Sequence, residues 1–503
     1  MVKPQGKDSP DTRKNQAEAG CPAQASKIGA TTAYGFCSER LSPFGGLLGL
    51  VKFLELVKFK EIFDMFYYAP ERTPALGHYN MVCGLLLLLF IGFNRVWHFM
   101  YIQLDAMLCS IFNVCKLPYV TTWWRYVDSL GINQGKSLLR VMSALRERVW
   151  YLCEIRHETI HIDIDTTVET IYGDQQGGRK GHNTQHRGKK GYRPVLCFIE
   201  ETREYFTGKL RVGKTMGGEE VAMLIGTFKN YLPGCVKRVV LRGDGEFISG
   251  ESVSAAAKAG YDFIFGNKVC AVEFAPSTWY KAKKDDKIEY NACMYQPMGW
   301  PCAYRFVTMR IPLEESVGPM QIELLEEDRY KRRVFVTNLK QKAHQVIEEY
   351  DKRADAENLI GESKREGLAA IPSRKFASSY AYFQIVMLCY NIWRSFKMLA
   401  AHGLREEKPV NRESKVQTKC TAREIADNTI RIARLKLLYL AAKITSHANT
   451  HAVRYSRHDS RVAEFFGFLK YMDRRLRQKS PWLDKGGWVC KHLSALNIKP
   501  AYG

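Results

Sequence analysis

No stretch of the 503-residue sequence combines the length and apolarity of a bilayer span. The nearest candidate, MVCGLLLLLFIGF at 81–93, holds 13 residues, whereas a span takes about 20. Arg95 and Asp105 follow soon after it, so a buried helix with no membrane contact is expected. The N-terminal tail is polar, lacks an apolar core and does not read as a signal peptide. Also missing is any C-x-x-C pair among the 14 cysteines, which argues against a zinc knuckle. Cys83, Cys109, Cys153, Cys197 and Cys389 sit in apolar runs. They are expected to be reduced core thiols of a cytosolic protein rather than parts of a disulfide framework. No internal repeat is present. Acid is scarce relative to base: 52 Asp and Glu face 75 Lys and Arg, a net charge of +23. That excess implies a polyanionic partner, nucleic acid or an anionic membrane surface.

What is present falls into blocks, and a chain of this length is expected to form about two to four domains. Residues 1–30 read as a disordered tail, and 31–150 carry helical apolar spacing, as in GGLLGLVKFLELVKFKEIFDMF. Near 158 the period changes. TIHIDIDTTVETIYG alternates like a strand, followed by strand-like YRPVLCFIEE and REYFTGKLRVG. Helical EEVAMLIGTFKNYL, strand VKRVVLRGD, helical SVSAAAKAG and strand YDFIFGN complete the block 151–268. This order predicts an α/β fold, a mixed sheet flanked by helices. Between 269 and 340, EYNACMY, CAYRFVTMRIPL, MQIELL and RRVFVTN make a β-rich insertion. Residues 341–400 supply closing helices, including the apolar SSYAYFQIVMLCYNIWRSF, suited to cover the sheet. The stretch 401–503 reads as helical and carries +12 of the +23.

Three carboxylates are candidates for chemistry. Asp165 lies in IDIDTT, Asp244 in LRGDGEF and Glu357 in YDKRADAENLIGESK. They are remote in sequence, yet strands one and four of this order can be neighbours and a closing helix can lie across them. Such a cluster is costly unless cations neutralise it. Mg²⁺, held by one or two carboxylates each plus substrate phosphate oxygens, fits best. Two such ions roughly 4 Å apart would activate an attacking oxygen and stabilise a leaving one at phosphorus. Taken singly, plainer roles exist: Asp163 and Asp165 as exposed strand positions, Asp244 as a turn residue between glycines, Glu357 as a surface ion-pair partner of Arg353. The helix of Glu357 also places Tyr350, Arg353 and Lys364 on one narrow polar stripe.

That stripe resembles the glutamate helix of the DDE transposases of bacterial insertion sequences: Tyr, two residues, Arg, three residues, Glu, six residues, Lys. Tyr350, Arg353, Glu357 and Lys364 match it at every spacing. Within that group the chain looks most like the insertion-sequence 1380 family. The resemblance is carried by IDIDTTVETIYG with its Gly-rich basic loop and GYRPVL, by LRGDGEF, and by RKFASSYAYFQ. LSPFGGLLGL, LPYVTTWWRYVDSL and LKLLYLAAKITSHANTHAVRYS extend it over about residues 36–475. Glu246 departs from the pattern, where a small residue is expected. An extra carboxylate there either perturbs metal geometry or points to solvent.

The resemblance implies an RNase H-like catalytic core (151–268 and 341–400) interrupted by the β-rich insertion, with helical N-terminal and C-terminal regions. Asp165, Asp244 and Glu357 would be both catalytic and metal-binding, with two Mg²⁺ ions for which Mn²⁺ can substitute. Arg353 and Lys364 would hold phosphates of the transposon end, and Tyr350 would hydrogen-bond a phosphate or position the end. The implied activity is cut-and-paste transposition. The protein would bind terminal inverted repeats of double-stranded DNA, cleave to expose a 3′-hydroxyl, and join that hydroxyl to target DNA. A homodimer on DNA, in the bacterial cytoplasm at the nucleoid, is implied with it. Two alternatives stand beside this reading. One is another RNase H-fold metal-dependent nuclease, such as a junction resolvase, which would not need the Tyr-Arg-Glu-Lys pattern. The other is a catalytically inactive, transposase-derived DNA-binding repressor.

Three further stretches are candidates for DNA contact. The loop 173–193 holds six glycines and six Lys or Arg against Asp174. Its Arg179, Lys180, Arg187, Lys189 and Lys190 are expected to meet phosphate, with glycines letting the backbone approach closely. LPYVTTWWRYVDSLG (117–131) reads as a helix capped by Thr121 or Thr122 with Arg125 on its first turns. It is either a recognition helix of the 31–150 DNA-binding and dimerisation domain or, through Trp123 and Trp124, a core element. Trp300 either stacks on an unpaired end base or packs in the core. The basic C-terminal block would clamp DNA or dimerise.

Overall fold

A computed structural model of the chain describes residues 28–181, 186–266, 272, 274–283, 287–312, 330–406, 421–447 and 450–478. Most of the expected N-terminal tail, and the MQIELL strand, lie outside the described residues. The chain divides into two compact units. One is built from the described residues of 28–59, 97–120 and 396–478, the other from those of 60–96 and 121–395. The helices of residues 31–150 are thus shared between them.

In the second unit, helix α1 (His78–Phe90) buries every residue from Met81 to Phe90. An all-apolar helix needs neighbours on every side, and Trp393 supplies one by stacking on Phe90 at 3.8 Å. No described helix is long and apolar enough to cross a membrane. Helix α2 (Val120–Ser129) begins one residue before the expected caps, so Thr121 and Thr122 sit inside its first turn. Trp123 on α2 is fully buried, and α3 (Ile132–Leu152) follows.

The sheet strands follow in the expected order: β1 (Thr159–Thr166), β2 (Val195–Ile199), β3 (Glu204–Lys209), helix α4 (Gly218–Thr227), β4 (Arg238–Gly243), α5 (Gly250–Lys258) and β5 (Asp262–Gly266). Four more strands, β6 (Tyr280–Lys281), β7 (Glu289–Tyr295), β8 (Tyr304–Pro312) and β9 (Tyr330–Thr337), join the same sheet. The spatial order is β6-β7-β8-β9-β5-β4-β1-β2-β3. Strands β1, β4 and β5 run parallel, whereas β2, β3 and β6–β9 pair antiparallel with their neighbours. The expected mixed sheet flanked by helices is present, and the strands of 280–337 continue it.

Alternation along β1 sets the two faces. Ile160, Ile162 and Ile164 enter a core with Val239 and Leu241 of β4 and with Val221, Ile225 and Val253 of α4 and α5. The opposite face packs Ile264, Val307 and Phe335 against Val346, Ile347 and Tyr350 of α6 (Ala343–Asp351). A 3₁₀ turn at Lys352–Ala354 leads to α7 (Asp355–Ser363), and α8 (Phe376–Glu406) follows. Where α8 crosses β3, Asn391 accepts from Tyr205 N at 2.9 Å and donates to Tyr205 O at 2.8 Å. These bonds occupy backbone groups that an edge strand otherwise leaves open.

In the first unit, helix Leu47–Leu56 packs against helix Arg461–Arg477, with Phe396 against both Phe53 and Phe468. The C-terminal region is not wholly helical. Ala442–His447 and Thr450–Tyr455 form an antiparallel pair joined by Leu41–Ser42. Ile444 lies opposite Val453 there, and β-branched pairs of that kind favour strands over the helix read from the flanking sequence.

The tightest packing point along α1 is Gly84, where an added Cβ would lie 2.2 Å from the Trp123 ring. Gly84→Ala is expected to lower unfolding stability by about 1–3 kcal/mol through overpacking, measured by denaturant titration against the wild type.

Candidate active site

On the polar face of β1 stand His161, Asp163 and Asp165, two residues apart, so all three project the same way. Each meets a counter-charge. Asp163 lies directly opposite Arg242 in the parallel β1–β4 ladder. Arg242 is fully buried, and its Nε and Nη2 donate to the two Asp163 oxygens at 2.6 and 2.9 Å. His161 bonds Glu201 through Nδ1 at 2.6 Å and Glu349 through Nε2 at 3.0 Å. Asp165 meets Arg353, whose Nη2 lies 3.1 Å from Oδ2, and its Oδ1 accepts from Thr166 N at 2.7 Å.

The ladder places the second carboxylate. Ile164 pairs with Gly243 at its end, so Asp165 and Asp244 emerge side by side at the carboxyl ends of neighbouring parallel strands. Open sheets bind ligands at such edges. Asp244 opens a 3₁₀ turn, accepting from Glu246 N at 3.0 Å. Glu357 is exposed on the first turns of α7, which packs on β1 and β2. Burial pushes the Asp165 carboxyl up to about 6; Arg353 opposes the rise, while the like charges of Asp244 and then Glu357 add to it. Asp165 is therefore the member that both others reach.

Could this group hold a metal? Its donors are all carboxylate oxygens, the set that hard divalent ions prefer, and a buried carboxylate beside two like charges gains most from a cation. The residues fit. Among the described residues, one trio of potential ligands has atoms mutually within 4.8 Å, and it is a different one: His161, Glu200 and Glu201. The Asp165, Asp244 and Glu357 oxygens do not all approach one another that closely. The His161 trio already has its counter-charges, His161 for Glu201 and, from outside the trio, Arg242 for Glu200. Burial would lower the His161 pKa, but bonds to Glu201 and Glu349 lift it to about 9, so the ring is a cation with both nitrogens engaged.

The other residues of the stripe are distributed by the 3₁₀ turn. Tyr350 is buried on α6 with its ring 4.7 Å from Phe335. Arg353 is buried over Asp165, and its Nε has no hydrogen-bond partner. Lys364 donates to Val168 O at 3.0 Å and lies 3.4 Å from buried Glu169.

Glu246 neither joins the carboxylates nor points to solvent. Its Oε2 accepts from Thr166 Oγ1 at 2.9 Å and Arg193 Nη2 at 2.5 Å, and its Oε1 accepts from Met216 N at 2.9 Å. It ties the residue after Asp165 to the turn after Asp244. Sequence reasoning missed this link, and it also missed Arg242, Arg193 and His161. The alternation of HIDIDT was the available signal for the last.

Arg179, Lys180, Arg187, Lys189 and Lys190 are exposed around a small sheet of Glu169–Thr170, Lys190–Tyr192 and Arg179–Lys180. Some of the glycines there approach protein backbone, whereas Gly173 and Gly188 face open space. A Cβ on Gly181 would lie 2.2 Å from Gly213 O, and one on Gly213 2.4 Å from Gly191 O. Arg125 is exposed on α2. Trp300 is partly buried, its ring 5.8 Å from Tyr304 and 6.0 Å from Phe306.

The chain matches the family described as Transposase DDE domain group 1 over residues 40–476. With that match covering most of its length, the protein belongs to this family of DDE transposases. No curated protein matches it. Among solved structures, it is similar to the piggyBac transposase synaptic complex with hairpin DNA, at 11% identity over 87% of this chain and 86% of that one, with a TM-score of 0.39.

His161 gives the site a pH signature. Its pKa of about 9 exceeds the unfolded value, so its contribution to stability is complete below about 6.5 and lost as pH rises through about 9. Urea midpoints of the wild type should fall between about pH 7 and 10, a loss of roughly 3 kcal/mol, and His161→Gln should flatten that decline.

Proposed function

We propose that this protein carries out cut-and-paste transposition of an insertion sequence of the 1380 type, in a bacterial cytoplasm at the nucleoid. The observation that carries the reading is the meeting of Asp165 and Asp244 at adjacent strand ends, with the Glu357 charge felt at Asp165. The order β3-β2-β1-β4-β5, antiparallel on one side of β1 and parallel on the other, supports an RNase H-like core. Strands β6–β9 are then the insertion, and the regions 31–150 and 401–503 serve DNA binding and dimerisation.

In this reading Asp165, Asp244 and Glu357 would hold two Mg²⁺ ions, or Mn²⁺ in their place. Bound divalent ions supply activation of an attacking oxygen and stabilisation of the leaving one. The protein's own residues do the rest. Arg353, beside Asp165, binds an end phosphate, an anion that guanidinium suits. Lys364 neutralises a second phosphate beside Glu169, and Tyr350, packed on Phe335, braces the helix end from which the turn carrying Arg353 departs. The exposed Arg179, Lys180, Arg187, Lys189 and Lys190 track the backbone of double-stranded DNA next to the site, adding a salt-dependent attraction. Arg125 and Trp300 touch the terminal repeat in this reading. Water first attacks the phosphorus at each end and a 3′-oxygen leaves; that 3′-hydroxyl then attacks a phosphorus of target DNA and displaces the 3′-oxygen of the target strand. Both ends must react together, which calls for a homodimer on DNA.

Glu357→Gln should bind a duplex of the element's end within about twofold of wild type yet cleave it at least about a thousandfold more slowly. Gel shift and single-turnover cleavage with Mg²⁺ read the two quantities. Equal cleavage by both proteins rejects the assignment.

A further inference from the structure

Outside the three carboxylates lies a second polar cluster, and its geometry points back at them. Arg242 uses every guanidinium nitrogen. Two bind Asp163, as described; Nη2 also lies 2.8 Å from Glu200, and Nη1 donates to the carbonyl of Glu349 at 2.8 Å. That carbonyl sits in the last turn of α6. The side chain of the same Glu349 is bound by His161. Glu349 is therefore gripped twice, once by backbone and once by carboxylate, from two neighbouring strands of the sheet. Four residues further on is Arg353, and eight residues further on is Glu357. Asp163 and Arg242 stand two residues before Asp165 and Asp244, so one buried pair fixes the register of both strand-borne carboxylates.

We propose that Arg242 and His161 are positioning residues that clamp Glu349, and through it Arg353 and Glu357, over the Asp165–Asp244 edge. The inference rests on the transposase reading and deepens it. Neither residue touches DNA or reacting atoms. Helix α6 alone does not set this geometry, because the 3₁₀ turn at Lys352–Ala354 interrupts it before α7. A turn of that kind can adjust its winding, so the point at which the preceding helix is pinned decides where Glu357 arrives. Groups that orient ligands in this way commonly change metal affinity or activity by about tenfold to a hundredfold when removed.

The test uses the full chain in four forms beside wild type: Arg242→Lys, which keeps charge but loses the fork, Glu349→Ala, the double variant, and Glu357→Gln. Mn²⁺ alone is titrated calorimetrically without DNA. Cleavage and binding of an end duplex, and the thermal midpoint, are measured in parallel. Arg242→Lys and Glu349→Ala are each expected to weaken Mn²⁺ binding about tenfold and slow cleavage by tenfold or more. End binding should stay within about twofold, a split that general loss of structure does not produce. Glu349→Ala keeps the inference testable should Arg242→Lys fail to fold, since Glu349 is only partly buried. Wild-type Mn²⁺ affinity and cleavage in both single variants overturns the clamp, as does a loss that follows end binding and thermal midpoint down together. If Glu357→Gln leaves Mn²⁺ affinity and cleavage unchanged, the transposase site itself fails and the clamp falls with it. Indifference to Arg242→Lys and Glu349→Ala beside an inert Glu357→Gln overturns the clamp alone.

Discussion

A strand that is apolar on one side and ionic on the other can lie at the centre of a sheet only if each charge finds a partner before water is excluded. Strand β1 meets that condition three times on one face. His161 is held between Glu201 and Glu349, Asp163 by the fork of Arg242, and Asp165 by Arg353. Leaving one partner of a buried pair unpaired costs about 3–5 kcal/mol, so the first two positions are committed. The third differs. Arg353 makes one approach to Asp165, keeps a donor free, and leaves the carboxyl pushed up to about 6 by burial and by two like charges. The same face thus passes from closed ion pairs to a group that still gains by meeting a cation.

Topology turns that local fact into a site. Parallel pairing of β1 with β4 brings the residue after Ile164 beside the residue after Gly243, and α7 packs on β1 and β2. Glu246, linked to Thr166, Arg193 and Met216, fastens the turn after β4 to the end of β1. Its charge is spent on Arg193 rather than added to the cluster. The family assignment and this geometry come from separate observations, one from sequence similarity and the other from pairing and burial.

Much of the central block was legible beforehand, because its strands alternate and its helices carry apolar stripes. EYNACMY coincides with β7 residue for residue, and the strand–strand–strand–helix–strand–helix–strand order stands as read. Partner choice was not legible. Nothing local to LRGD says that Arg242 faces Asp163; only the register does. The Tyr-Arg-Glu-Lys stripe assumed one continuous helix, whereas the 3₁₀ turn at Lys352–Ala354 separates Tyr350, buried on Phe335, from Glu357, exposed on α7. The glycines of the basic loop suggested close approach to a polyanion. Two of them, Gly181 and Gly191, meet the backbone oxygens of Gly213 and Glu169, a long-range contact that composition cannot reveal, while Gly173 and Gly188 face open space. The C-terminal hairpin was hidden by basic, helix-compatible residues on either side of Ile444 and Val453.

The two acidic groups on this sheet make the central claim open to one direct measurement: anomalous diffraction at the manganese edge from crystals of the full chain grown with Mn²⁺. The account predicts peaks bounded by Asp165, Asp244 and Glu357, and none at His161, whose two ring nitrogens are already paired with Glu201 and Glu349. Density between His161, Glu200 and Glu201, with the Asp165–Asp244 edge bare, would contradict it.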